Sequence, residues 1–147
     1  IPLYVRSFLH PELPGTVIKS GLLLNPLVPC YIRKTEQALI SVSTRDLAFI
    51  AEEHLQLIYN IFHKHGLTVN TNQSSAISSS FCVNNDPIIL PRVLAELQQY
   101  FEVKSNFNVE LYTIRHHNAK SRKAIRGNKE ALIEQVTRET YQVVLKA

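Results

Sequence analysis

Glycine is scarce in this sequence, with four residues among 147, at positions 15, 21, 66 and 127. None lies next to another, so the chain has no glycine-rich loop that could place backbone N–H groups around a phosphate. We therefore expect no nucleotide site within these residues.

Cysteine is scarcer still. Cys30 and Cys82 are too few for the disulfide framework of a small secreted domain, and their spacing is not the C-x-x-C of zinc or redox sites. His63 and His65 are two residues apart, whereas a metal-binding helix uses positions i and i+4. The sequence predicts reduced thiols, a cytoplasmic location and no metal ion.

Long apolar runs are missing as well. No uninterrupted run approaches the ~20 residues that a membrane-spanning helix needs, so we expect no membrane partner. The chain starts at Ile1 without the pattern of a signal peptide, and we interpret it as a fragment of a longer protein.

The sequence does contain enough apolar material for a core, since 45% of its residues are hydrophobic. Its formal net charge is +4, and residues 115–129 supply the surplus. The basic residues of this acid-free stretch are Arg115, Lys120, Arg122, Lys123, Arg126 and Lys129. Such a run is typical of a solvated surface or of an RNA-binding surface. The ordered aromatic residues of RNA-stacking strands are missing, so we expect no nucleic acid and keep RNA binding as an alternative.

The first part of the predicted fold is a strand followed by a helix. Residues 37–43 alternate like a strand and end in a turn-prone segment. A helical stripe follows and stops at Gly66, a residue that commonly ends helices. The stripe consists of Ala51, Leu55, Ile58 and Phe62.

Two strands, at residues 67–70 and 81–83, follow this helix, with a serine-rich connection between them. A second helical stripe from Leu90 to Phe101 and a short strand at 101–104 complete the series. The order over residues 37–104 is that of a ferredoxin-like unit. Its helices must cover one face of the sheet, and we expect the other face to be solvated, paired or used for binding.

Residues 105–147 contain three further strand-like runs, at 109–114, 131–136 and 141–145, with a basic connection after the first. A second complete unit would need about 70 residues. We therefore expect the N-terminal segment, including residues 20–28 and 30–34, to complete it. The predicted fold class is α+β, with two ferredoxin-like units of which the second is shortened.

The connection between the first strand and the first helix is the best candidate for a small-molecule site. It is long for such a loop and carries Arg45, Asp46, Glu52, Glu53 and His54 beside a helix start. A zwitterion could place its carboxylate at the helix N-terminus and its ammonium at an acid or at an acceptor such as Asn70. The alternative is that these groups only cap the helix and meet water.

Four segments in order resemble a known family. Residues 9–18, Leu-His-Pro-Glu-Leu-Pro-Gly-Thr-Val-Ile, resemble the "x-P-x-x-P-G-T-x-I" pattern that leaves the catalytic domain of aspartate kinases. Residues 32–42, 66–70 and 74–78 resemble the lead-in strands and the second and third strands of the first ACT unit in that family. The resemblance runs from about residue 8 to the end of the chain.

This resemblance implies a tandem ACT regulatory region. It implies that residues 1–36 are a linker that contributes to the second unit, that residues 37–104 are the first unit, and that residues 105–147 are the incomplete second unit. ATP and Mg²⁺ would belong only to a kinase domain upstream of Ile1, and the fragment itself would hold no cofactor and no catalytic residue.

The resemblance also implies a dimer of first ACT units that binds lysine or threonine at its interface. By position, the effector-binding residues are Arg45, Asp46, Ala51, Glu53, His54 and Leu55 from the loop and helix, with Val69, Asn70, Ser74 and Ser75 from the facing strand. The expected function is feedback regulation of an aspartate kinase. A module that only dimerises and an RNA-binding module are the alternatives.

Overall fold

The computed structural model describes residues 1–21, 26–46 and 48–147. The elements in chain order are β1 (Leu3–Val5), β2 (Thr16–Ile18), β3 (Cys30–Ser43), α1 (Glu52–His65), β4 (Val69–Ser74), β5 (Ser78–Asn84), α2 (Ile89–Tyr100), β6 (Glu102–Arg115), α3 (Ala119–Arg126), β7 (Ala131–Val136) and β8 (Thr140–Lys146). No helix among the described residues is both long enough and apolar enough to cross a membrane.

Six of the strands form one antiparallel sheet in the order β4-β5-β3-β6-β8-β7. The two central strands, β3 and β6, are 14 residues long and pair with each other along most of their length. One end of this central pair is flanked by β4 and β5, and the other end by β8 and β7. The α+β fold with two ferredoxin-like halves is confirmed, and residues 30–34 complete the second half as predicted.

Helices α1 and α2 cover one face of the first half. Ile58, Ile61 and Phe62 of α1 and Leu90, Val93 and Leu97 of α2 are buried against Ile40, Val42 and Phe81 of the sheet. Helix α1 ends as the sequence predicts, because Gly66 adopts a left-handed conformation with φ 70° and its N–H bonds to the carbonyl of His63. Asp86 precedes α2, and its carboxylate accepts hydrogen bonds from the backbone N–H groups of Ile88 and Ile89, both at 2.8 Å.

Part of the helix-free face of the sheet is buried by the curl of the sheet itself. A second apolar cluster lies there, formed by Leu39, Cys82, Val109, Leu111, Ile133 and Val144. Register shifts in β3, β4 and β7, with a left-handed φ of 53° at Glu36 and at Asn108, mark the irregularities that bend the strands. This face is therefore buried where the cluster lies, whereas Lys104 and Asn106 of β6, which pair with Ser41 and Leu39 on the same face, are exposed.

The two outer strands meet across the curl. The Thr71 hydroxyl of β4 lies 3.3 Å from Gln135 Oε1 and 3.2 Å from Gln142 Oε1, and the Gln135 side-chain amide donates to the backbone carbonyl of Asn72. We call this group of Thr71, Asn72, Gln135 and Gln142 the clasp. It links the first half of the sheet to the second.

Two sequence predictions of local structure are corrected. The segments at 101–104 and 109–114 are parts of a single strand, β6, that continues through the irregularity at Asn108. The basic connection contains a helix, α3, whose start is capped reciprocally by Asn118 and Ser121. A third apolar cluster lies between α3 and the strands of the second half. In it, Ile125 of α3 packs against Ile114, Tyr141, Val143 and Leu145.

The N-terminal strands β1 and β2 form a separate two-stranded sheet. Every residue from 1 to 21 is exposed. The predicted contribution of residues 20–28 lies partly outside the described residues, because positions 22–25 are not among them.

Candidate functional site

The loop after β3 is a hydrogen-bonded turn. Thr44 Oγ1 donates to the carbonyl of Ala48 at 2.7 Å, and Asp46 Oδ1 accepts from the N–H of Ala48 at 3.2 Å. That backbone hydrogen bond lowers the pKa of the Asp46 carboxyl below its usual range. Asp46 is therefore an ionised carboxylate at the surface, held in place by its own loop.

The start of α1 lies beside this turn. Ala51 is the capping position, and the N–H of Ala51 donates to His54 Nδ1 at 3.0 Å. The His54 ring meets the Phe101 ring edge to face, with the ring centres 6.0 Å apart. Glu52 and Glu53 lie in the first helical turn and are exposed. Their negative charges interact favourably with the positive end of the helix dipole.

A pocket of about 440 Å³ lies between the turn and the end of α2. Arg45 and Asp46 form its charged part, and the Arg45 guanidinium donates to the carbonyl of Gln98 at 2.6 Å. The residues around it are Thr44, Arg45, Asp46, His54, Leu57, Tyr100 and Phe101. A pocket with one cation, one anion and an aromatic wall has the features that hold a small zwitterion.

Four of the pocket residues were not predicted as site residues: Thr44, Leu57, Tyr100 and Phe101. The sequence placed Phe101 on the apolar stripe of the second helix, but nothing in one sequence indicates that the end of that helix faces the loop after β3. Leu55, which was predicted, instead packs against the main apolar cluster.

The turn between β4 and β5 lies beside the same loop. The N–H of Ile50 donates to the carbonyl of Ala76 at 2.8 Å, which ties this turn to the approach of α1. Ser74 Oγ lies 2.8 Å from Ser79 Oγ, and Ser75 Oγ lies 2.9 Å from Ser78 Oγ. The predicted Ser74 and Ser75 are thus at the Arg45 end of the sheet.

Val69 and Asn70 lie at the opposite end of β4. Strand geometry separates Asn70 from Ser74 by roughly 13 Å along the strand. Asn70 accepts from Lys34 Nζ at 2.7 Å and donates to Gln37 at 2.6 Å and to Asn84 at 2.8 Å, at the rim of a polar depression near the middle of β3. Within one chain, the predicted residues therefore fall into two groups.

The described residues show neither a metal cluster nor a helix that begins at Gly66 or Gly127. They contain no cluster of three or more His, Cys, Asp or Glu side chains that could hold a metal. Gly66 and Gly127 end helices rather than begin them, so neither presents helix N-terminal N–H groups to a phosphate.

Comparison with known proteins gives a structural likeness without a sequence match. No family model matches the chain, and no curated protein matches it. E. coli aspartokinase III in complex with lysine and aspartate superposes on 99% of this chain with a TM-score of 0.76 and 16% identity, and 36% of that chain is covered. The aspartate kinase of Clostridium acetobutylicum gives a TM-score of 0.80 and 14% identity over 99% of this chain and 38% of its own.

A regulatory chain without a kinase domain is also similar. The C-terminal regulatory domain of aspartate kinase from Porphyromonas gingivalis W83 gives a TM-score of 0.67 and 18% identity, over 82% of this chain and 87% of its own. The chain thus has the fold of the regulatory part of aspartokinases. It spans little more than a third of the two longer kinase chains.

Proposed function

We propose that this chain is the regulatory region of an aspartate kinase, the enzyme that transfers a phosphoryl group from ATP to the side-chain carboxylate of L-aspartate. A kinase domain upstream of Ile1 would hold ATP and Mg²⁺, and the two free thiols, Cys30 and Cys82, fit a cytoplasmic parent enzyme. The observation that carries the proposal is the pocket of Arg45 and Asp46 at the loop after β3.

The ligand that suits this pocket is an amino acid, lysine or threonine, from the lysine, threonine and methionine biosynthesis that the parent kinase would serve. Its carboxylate would bind the Arg45 guanidinium, which has five N–H donors and uses one on Gln98. Its ammonium would bind Asp46, which stays ionised because the Ala48 N–H lowers its pKa. E. coli aspartokinase III, which shares the fold, was solved with lysine.

Self-association would complete the site. Phe49 and Ile77 are large apolar side chains that are 73% and 47% exposed, and both flank the Ile50–Ala76 hydrogen bond at the pocket end of the first half. Burying them against a second copy is favourable. The facing strand of that copy would bring Ser74 and Ser75, or Val69 and Asn70, to the pocket.

Regulation would follow from a difference in affinity. If the ligand binds one arrangement of two copies more tightly than another, it shifts their populations by that difference alone. The linked kinase domains then change between active and inactive arrangements.

Calorimetric titration of the chain with lysine, threonine and methionine tests the proposal. Heat of binding is expected for one of them and should be lost in Asp46→Asn. Asp86→Asn is the matched control, because Asp86 precedes the start of α2, does not line this pocket, and has a carboxylate that also accepts backbone hydrogen bonds. No heat with any of the three, in a sample that light scattering shows to be dimeric, would contradict amino-acid sensing.

A dimerisation-only module is the second candidate, because the polar groups of the loop already find partners within the chain. Feedback assays on the parent enzyme separate the two. If the chain is only an assembly module, the parent enzyme keeps its feedback response when it carries Asp46→Asn. If the chain is a sensing module, that variant loses the feedback response.

RNA binding is favoured less, because two of the basic residues form ion pairs. Arg115 pairs with Glu139 at 3.3 Å and Arg126 with Glu134 at 2.7 Å. Measured RNA binding whose affinity falls steeply with rising salt would support the RNA-binding alternative.

A further inference from the structure

The polar depression near the middle of β3 is a second pocket, at the point where β5 stops. Strand β5 pairs with residues 37–43 of β3, and among the described residues no strand covers the same edge of β3 before Gln37. The depression lies between residues 33–37 of β3 and the turn at residues 84–87 that leads to α2, and its volume is about 570 Å³. It shares no residue with the pocket of Arg45 and Asp46.

The backbone of β3 is distorted where it borders the depression. Glu36 has φ 53°, a left-handed conformation that residues other than glycine adopt only rarely, and the register with β6 shifts between Lys34 and Gln37. The Glu36 carbonyl accepts a hydrogen bond from the N–H of Asn85 at 2.9 Å, which ties the distortion to the turn after β5. Backbone strain of this kind persists where the surroundings hold it, and it concentrates at ligand sites.

A hydrogen-bonded group of side chains holds Lys34 at the rim of the depression. Lys34 Nζ donates to Asn70 Oδ1 at 2.7 Å, and the Asn70 amide donates to Gln37 Oε1 at 2.6 Å and to Asn84 Oδ1 at 2.8 Å. Gln37 is only 3% exposed, so it anchors the group in the core. The Lys34 ammonium has three N–H donors and uses one on Asn70, which leaves two for a ligand.

The depression has two cations and more than one hydrogen-bond donor beside them. Arg33 lines it and uses two of its five N–H donors on Glu110. Asn84 Oδ1 already accepts hydrogen bonds from Gln37 and Asn70, so the side-chain N–H groups of Asn84 are what it presents to a ligand. Carboxylates are the ligand groups that such donors bind most strongly.

Two acids on the other strand end and turn supply acceptors. Asp86 accepts two backbone hydrogen bonds at the start of α2, both through Oδ1, so its second oxygen is available to a ligand. These hydrogen bonds keep the pKa of the Asp86 carboxyl below its usual range, and it is therefore ionised. Glu36 also lines the depression, with an exposed side chain.

We propose that the polar depression binds an acidic amino acid, a molecule with two carboxylates and one ammonium. The two carboxylates bind Lys34 and the free N–H groups of Arg33 and Asn84, and the ammonium binds Asp86. A neutral amino acid would bring only one carboxylate to the two cations, so it fits less well. The site does not depend on the proposed function; if the parent is an aspartate kinase, the acidic amino acid of that reaction is its substrate, L-aspartate.

Calorimetric titration of the 147-residue chain with L-aspartate, L-glutamate and L-asparagine tests the site. Heat of binding is expected for at least one of the two acids. L-Asparagine should bind at least about tenfold more weakly than L-aspartate, because it lacks one charge-assisted contact. No heat with either acid would overturn the proposal, and so would equal binding of L-asparagine and L-aspartate.

A pair of lysine substitutions locates the binding. Lys34→Gln removes the charge at the rim and should weaken binding of the acid by about tenfold or more. Lys104→Gln is the matched control, because Lys104 is an exposed lysine on β6 that does not line the depression. Circular dichroism checks that both variants are folded. Equal affinity of the two variants would overturn the proposal.

Nuclear magnetic resonance of the unmodified chain gives a second readout that needs no variant. Backbone amide signals of residues 33–37 and 84–87 should shift when L-aspartate is added. Shifts confined to the residues around Arg45 and Asp46 would overturn the proposal, because the acid would then occupy the first pocket.

The two pockets can fail separately. Asp46→Asn should abolish binding of lysine or threonine and leave binding of the acid unchanged, and Lys34→Gln should do the opposite. A chain that binds L-aspartate but none of lysine, threonine and methionine would keep this site and remove amino-acid sensing at Arg45 and Asp46. A chain that binds lysine or threonine but neither acid would keep the proposed function and remove this site.

Discussion

Gln135 on β7 donates its side-chain amide to the backbone carbonyl of Asn72 on β4, which joins the two outermost strands of the six-stranded sheet. Residues 63 positions apart are thereby in contact. The second apolar cluster, with Leu111 and Ile133, is buried beneath this seam although no helix covers it. The clasp therefore stabilises a face that most sheets of this kind leave open.

Removing Gln135 should weaken that seam. Gln135→Ala deletes its hydrogen bonds to Asn72 and Thr71, each of which contributes about 1 kcal/mol, so we expect the free energy of unfolding to fall by about 1–2 kcal/mol. Urea denaturation measures it, and hydrogen exchange in β4 should rise. Gln73→Ala, on an exposed position of β4, is the control. Equal stability of the two variants would show that the clasp contributes nothing.

Phe62 is the aromatic centre of the main cluster. It is 2% exposed and meets Phe81 edge to face, with the ring centres 5.2 Å apart. Phe62→Ala should cost about 3–5 kcal/mol, because the neighbours cannot close the cavity completely. Tyr59→Ala, at a ring that is 42% exposed, should cost clearly less. Thermal unfolding followed by circular dichroism compares the two, and a smaller loss for Phe62→Ala would contradict this description of the core.

Gly66 ends α1 in a conformation that disfavours other residues. A Cβ at this position would meet no atom within 4 Å, so the cost of Gly66→Ala comes from φ +70° alone and should be about 1 kcal/mol. Gly66→Asn should cost less, because asparagine tolerates the left-handed region. Chemical denaturation of both variants tests the order, and an alanine variant as stable as wild type would refute it.

Acid should weaken the contact between Glu110 and Arg33. Arg33 donates to the Glu110 carboxylate at 2.5 and 3.2 Å, and the Tyr112 hydroxyl donates to it at 2.6 Å, so the pKa of Glu110 lies below its usual range. A carboxyl with a lower pKa in the folded chain stabilises the fold above its unfolded pKa of about 4.3. This contribution is lost as the pH falls through the folded pKa.

Glu110→Gln should therefore lose less stability than wild type when the pH is lowered from about 6 to about 3. Wild type and variant are compared by denaturation at each pH. Glu139→Gln is the control, because Glu139 forms an exposed ion pair with Arg115, and such pairs contribute little. If Glu110→Gln loses as much stability in acid as wild type does, Glu110 is excluded as a source of the acid sensitivity.

The sequence predicted the elements whose causes are local. The helical stripe from Leu55 to Phe62, and Gly66 after it, predict α1 because helix periodicity and a left-handed stop are written in neighbouring residues. The length of β6 could not be predicted, since the polar segment around Asn108 resembles a loop and is held in the sheet by partners far along the chain. Helix α3 is short and polar, and only Ser121 is buried within it, so it has almost no apolar stripe.

The candidate site was predicted in part for a similar reason. Arg45, Asp46 and His54 are close in sequence and do line one pocket. Asn70 was placed with them by family position, but strand β4 begins at the far end of the sheet, where Lys34, Gln37 and Asn84 surround Asn70. Whether residues at opposite ends of a strand approach one ligand depends on a second copy, which a single sequence does not specify. That assignment stays a prediction.

Strands β3 and β6 run through both halves. Arg33 and Val42 belong to the same strand, although Val42 packs in the main apolar cluster of the first half and Arg33 pairs with Glu110 in the second. Neither half has all of its hydrogen-bonded strands to itself, because both halves use β3 and β6. A protease cut between the two halves should therefore release no stably folded fragment. Thermal unfolding of the intact chain should show a single calorimetric transition whose enthalpy equals the van't Hoff enthalpy. The whole sheet gains and loses order as one thermodynamic body.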